Sequence, residues 1–139
     1  MSPDEVAAVG ATRARLSTMW IFVMLNIVVA DIFSFISPGF LKQVLAGHAG
    51  SVHITEAFLL AAAVVIEIPI AMVLLSRLLP YRLNRWLNIV AAVVTIAYVI
   101  GGGSTKPHYI FFATVEVVCC LFIVWIAWRW SPPEEVTDA

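Results

Sequence analysis

Four long apolar stretches, separated by short polar breaks, organise the chain. They cover about residues 17–36, 55–79, 83–101 and 107–130. Each holds the roughly 20 mostly apolar residues that a helix needs to cross a bilayer. Pro107 suits a first helical turn, where its missing N–H costs nothing. Gly101, Gly102 and Gly103 end the third stretch and make a turn. The first stretch is longer than a signal-peptide core, and no small-residue cleavage site follows it, so it reads as a retained anchor. Between the first two stretches, Pro38 can start a helix and Gly47 can stop one. Phe40, Leu41, Val44 and Leu45 fall at helical spacing there. A short amphipathic helix on the outer membrane surface is therefore expected. The turn at Leu79, Pro80 and Tyr81 is tight, so the second and third spans should be antiparallel neighbours. Residues 1–16 and 131–139 are polar and read as loose tails. The pattern predicts an all-α fold: an integral membrane four-helix bundle with a short interfacial helix in its first outer loop.

Composition narrows the class. Of 139 residues, 62% are hydrophobic and 12% charged, and mean hydropathy is +0.98. A water-soluble chain this short could not bury so much apolar surface. A soluble enzyme and a disordered tail are excluded. A net charge of -1 leaves no basic field for nucleic acid. The partner implied is the lipid bilayer. With the N-terminus inside, Arg13, Arg15, Arg77, Arg82, Arg85 and Arg129 lie on the cytoplasmic side, and only Lys42 and Lys106 lie outside. This bias puts both termini in the cytoplasm. Trp20, Trp86, Trp125, Trp128 and Trp130 then all fall near the inner interface, where indoles serve as anchors.

Three acids fall well inside the spans: Asp31, Glu67 and Glu116. A charge at the bilayer centre costs roughly 2.5 to 3.5 kcal/mol even on the lenient insertion scale. All eight basic residues lie at span ends or in the connections, so none offers an intramembrane partner. At about 1.5 Å per residue, Asp31, Glu116 and Glu67 sit roughly 21, 18 and 14 Å from the inner face. One acidic cavity is expected to hold all three. At 100° per residue, Glu56 and Glu67 lie within about 20° of one another. With Ala63 between them, they suggest either a path from an outer entrance at Glu56 or a close helix contact. Pro69, two residues past Glu67, frees a carbonyl and suggests a pocket or a hinge.

Asn84, Asn88, Ala91, Thr95, Tyr98 and Gly102 form a stripe on the third span, and Tyr109, Glu116, Cys120 and Ile123 one on the fourth. Asn26 and Asn88 join the acids as candidate ligand- or proton-binding groups. Asn, Ser and Thr also tie membrane helices together, and that role competes for Asn26, Asn84, Asn88 and Thr95. Asn26-Ile27-Val28 matches Asn88-Ile89-Val90, and the second and fourth spans each carry a central Glu, as in two related hairpins. His48, His53 and His108 all fall at the outer side. With Glu56 they outline a surface metal site or a pH-sensing rim, although loop histidines are usually just solvated. Cys119 and Cys120 lack zinc-ligand spacing and read as core. No nucleotide loop, nucleophile elbow or HExxH motif appears, and no cofactor is expected.

The segments from Thr18 to Asp31, and from Glu67 through Arg77 to Asn84-Arg85-Trp86-Leu87-Asn88-Ile89, resemble those of small bacterial four-helix membrane proteins of a domain-of-unknown-function family. The resemblance covers about 17–130. It implies the four-span architecture and a bacterial inner membrane, and marks Asp31, Glu67, Arg77, Asn84 and Arg85 as motif positions. It implies no activity. A looser similarity to DoxX-like proteins rests on size and span count.

The acids favour binding or transport of a small membrane-permeant, cationic or lipophilic molecule. Transport by so small a bundle would need a homodimer. A structural or accessory subunit of a membrane complex is the alternative. An embedded enzyme acting on a lipophilic substrate is the third reading.

Overall fold

The computed structural model describes residues 2–131. In chain order it contains α1 (Pro3–Ile36), α2 (Phe40–Leu45), a hairpin of β1 (His48–Ala49) and β2 (Val52–His53), α3 (Glu56–Leu78), α4 (Tyr81–Gly101) and α5 (Pro107–Arg129). The four long helices are long and apolar enough to cross a membrane. They pack in the cyclic order α1, α3, α4, α5. Each long helix thus packs mainly against two neighbours.

The start of α1 and the end of α5 lie at one end of the bundle. There Arg13 donates to the Leu79 carbonyl at 2.9 Å, and the Tyr81 hydroxyl donates to that of Trp130 at 2.6 Å. The opposite end carries α2, the hairpin and the α4–α5 turn. There the Lys106 ammonium donates to the Ser37 hydroxyl.

Residues 1–16, expected to be a loose tail, are helical from Pro3 onward. Ser2 and Glu5 close a capping box, with Pro3 at the first helical position. These groups satisfy amide donors that a bare helix start leaves unpaired. At 34 residues, α1 is about 50 Å long, so its first part extends past a 30 Å hydrocarbon layer. Of the C-terminal tail, only Ser131 lies within the described residues.

The expected loop helix is present as α2, and a hairpin follows it. Gly50 at φ 61° adopts the left-handed conformation that the two-residue turn with Ser51 requires. His48 and His53 pair across the strands with ring centroids 4.2 Å apart.

Burial is uneven along the bundle. The buried residues of α1 are Leu16, Ser17, Trp20, Val23 and Ile27, and none follows within the helix. Those of α3 are Pro69, Met72 and Ser76, and none precedes them. The bundle is therefore tight toward the termini and open, on its α1 and α3 side, toward the hairpin. Cys119 and Cys120 are free thiols buried in α5.

Candidate functional site

The polar side chains sort into two layers. Nearer the termini is a closed network. Trp20 is fully buried, and its indole N–H donates to Asn88 Oδ1 at 2.7 Å. The Ser76 hydroxyl donates to the same oxygen at 3.2 Å. Asn88 Nδ2 donates to the side-chain and main-chain oxygens of Asn84 at 2.6 and 2.8 Å. Asn84 in turn donates to the Ser76 carbonyl at 2.6 Å. Ser17 donates to the Val73 carbonyl at 2.8 Å and accepts from Arg77 at 3.1 Å. α1, α3 and α4 are thereby stitched together with donors matched to acceptors. Trp20, expected to be an interface anchor, is instead a core donor. Trp86, Trp125 and Trp128 are exposed, as anchors should be.

The second layer, toward the hairpin, is acidic and unfinished. Glu116 is the first buried residue of α5, at the hairpin-side end of a buried face that continues through Cys119, Cys120, Ile123 and Ala127. It is 4% exposed, and its Oε1 has no hydrogen-bond partner. Asp31 is the charged group that acts on it. On α1, Asp31 falls within about 40° of the line through Trp20, Val23 and Ile27, so it continues their buried face. Yet Asp31 is exposed. Tyr98 and Tyr109 lie within electrostatic reach of both carboxyls. The Tyr109 hydroxyl donates to the Val99 carbonyl at 2.5 Å. Gly102 makes room for it, since a Cβ there would stand 3.2 Å from that hydroxyl. No lysine or arginine is among the groups acting on Glu116.

The expected single cavity for three acids does not form. Asp31 and Glu116 lie within electrostatic reach of one another. Glu67 is exposed on the opposite face of α3 from Pro69, Met72 and Ser76. Glu56 is exposed above it on the same outward line. Asn26 is half-buried and donates to its own helix at the Phe22 carbonyl, 3.0 Å away. Asn88 belongs to the closed network. The proposed hairpin duplication is not expressed in the site: Glu67 faces out where Glu116 faces in, and Asn26 and Asn88 have unlike partners. Tyr98 and Tyr109 were missing from the expected set, although both lie on the polar stripes of their spans. Among the described residues, no three His, Cys, Asp or Glu side chains converge to hold a metal.

Fold and site together define a four-span membrane bundle with an acidic layer in its open half. The chain belongs to a family of unknown function, DUF6326, whose pattern it matches over residues 8–137. No curated protein matches it, and no solved structure does. No comparison links it to DoxX-like proteins.

Proposed function

We propose that this chain binds a small, membrane-permeant cation between Asp31 and Glu116, at the floor of the bundle's open half. The observation that carries this reading is the buried Glu116 carboxyl, whose Oε1 lacks a partner while the Asp31 carboxyl lies within electrostatic reach. A buried charge persists only when paired, hydrated or coordinated. A cation, or a proton in exchange for it, meets the need of two such carboxyls. The hydroxyls of Tyr98 and Tyr109 supply polar oxygen and aromatic faces beside them, both favourable to a cation. The arginine distribution argues that the open end faces outward, away from the cytoplasm. The closed Trp20–Asn88 network takes no part in binding. Its groups are already satisfied, which favours the structural role for Asn84 and Asn88.

The test is native mass spectrometry of gently extracted protein, with benzylamine titrated as a lipophilic amine probe. Wild type should retain a small cationic ligand or bind the amine. Glu116→Gln and Asp31→Asn should each weaken binding roughly tenfold to a hundredfold, the size of one hydrogen bond to a charged group. Glu67→Gln should bind as wild type. Equal binding by wild type and Glu116→Gln refutes the site. A chain that holds no ligand, and is instead recovered with a fixed second polypeptide in all versions, shifts the function to an accessory subunit.

A further inference from the structure

Of the four spans, α3 is the least covered by its own chain. Only 11% of its most apolar window is buried, against 22 to 33% for the other three. Its outward face is ordered. Glu56, Leu60, Ala63, Glu67, Ile70 and Leu74 are all exposed. Their spacings are 4, 3, 4, 3 and 4, so they form one line along the helix. All six fall within about 40° of one line, diametrically opposite Pro69, Met72 and Ser76. Lipid would be poor company for Glu67, the central residue of the 23-residue helix Glu56–Leu78. A carboxyl there lies deepest in hydrocarbon, where an unpaired polar group is most costly.

We infer that α3 is the seam of a homodimer, with Glu67 of each copy hydrogen-bonded to Glu67 of the other across a two-fold axis along the membrane normal. The occupant is argued from the residue itself. Two copies inserted in the same orientation set residue 67 opposite residue 67, at one depth. A protonated carboxyl is both donor and acceptor. It is therefore complementary to its own image, and a pair satisfies both members without any other ligand. Ala63, one turn away on the seam, lets the backbones approach, as small residues do between membrane helices. The seam also borders an apolar groove of about 320 Å³ between α1 and α3, walled by Ile21, Met24, Leu25 and Val28 with Ile70 and Leu74. It gives a facing helix a recess beside the ridge. The acidic pair inside each bundle, Asp31 and Glu116, lies on the other side of α3, so dimerisation and ligand binding are separable.

The test is oxidative cross-linking in native membranes, in a chain carrying Cys119→Ala and Cys120→Ala. Ala63→Cys and Ile70→Cys should each give a band at twice the 15.2 kDa of the chain. Val118→Cys, exposed at mid-span on α5, should not. In detergent dilution, Glu67→Leu should weaken the dimer roughly threefold to thirtyfold, the range of one hydrogen bond between membrane helices. Glu67→Gln, whose amide also pairs with its own image, should hold it. Residue 67 is outside the core, so both variants should keep wild-type helicity. Three results would overturn the inference: equal cross-linking through residue 118, a dimer indifferent to Glu67→Leu, or capture of a different polypeptide by the residue 63 thiol.

Discussion

The Trp20 indole meets Asn88 some 68 positions further along the chain. Such a pairing is invisible to spacing rules, which see one helix at a time. Its energetic consequence is concrete. Removing the Asn88 amide strands the Trp20 N–H, the Ser76 hydroxyl and the Asn84 side-chain oxygen in a dry interior. Buried groups left without partners cost about 1 to 3 kcal/mol each, moderated in membranes where the unfolded chain finds other partners. Asn88→Ala should therefore lower stability by about 1 to 3 kcal/mol in a denaturing-detergent titration followed by tryptophan emission. Trp20→Phe should cost less, and the two changes together should cost less than their sum. Strict additivity would show that the two side chains are not coupled. At this scale the sequence announces Asp31 and Glu116 clearly, because a carboxyl within an apolar run is conspicuous. It does not announce which carboxyl faces in. Lipid and protein core are equally apolar, so the hydropathy around Glu67 and Glu116 is the same although their surroundings are opposite.

The elements themselves are largely legible in the sequence. The expected spans at 55–79, 83–101 and 107–130 agree with α3, α4 and α5 to within two residues at each end. The two departures have physical signals that hydropathy overlooks. One is the Ser2-Pro3-Asp4-Glu5 start, a capping box that begins α1 well before its apolar part. The other is Gly50-Ser51 between two short β pairs. The capping box also makes a pH prediction. The Ser2 amide donates to the Glu5 carboxylate and the Ser2 hydroxyl accepts from the Glu5 amide; hydrogen bonding with Ser2 holds the Glu5 pKa below the ordinary 4.5. A group depressed on folding contributes stability above its unfolded pKa and loses it as pH falls through the folded value. The first turn of α1 should thus stay ordered at neutral pH and fray below about pH 4.5. Amide exchange of residues 4–6 should report this, with Ser2→Ala fraying at every pH. Exchange that is flat with pH in wild type would rule the cap out.

For the whole molecule, the even number of spans puts the start of α1 and the end of α5 at one end, beside the turn between α3 and α4. Charge then argues for the side of the membrane. Arg13, Arg77, Arg82, Arg85 and Arg129 gather at the termini end, and Lys42 and Lys106 at the other. A fluorescent protein fused to either terminus should fold and emit in the cytoplasm, whereas alkaline phosphatase should be active only when inserted in the loop of residues 46–54. Active phosphatase at both termini would invert the assignment. The layout of the bundle was thus open to sequence argument. Its uneven packing was not, because burial depends on which neighbours face each helix and the sequence names no neighbours.

The long reach of the Trp20–Asn88 bond has a consequence for how the protein is made. When α1 and α3 first emerge from the ribosome, Trp20 and Ser76 have left it, but the amide that satisfies both follows 12 residues behind Ser76 and is still inside. The nascent hairpin must wait with its donors unmet, and only the arrival of the third span locks it. A chain cut short before Asn88 would leave the Trp20 indole and the Ser76 hydroxyl without the oxygen that joins them.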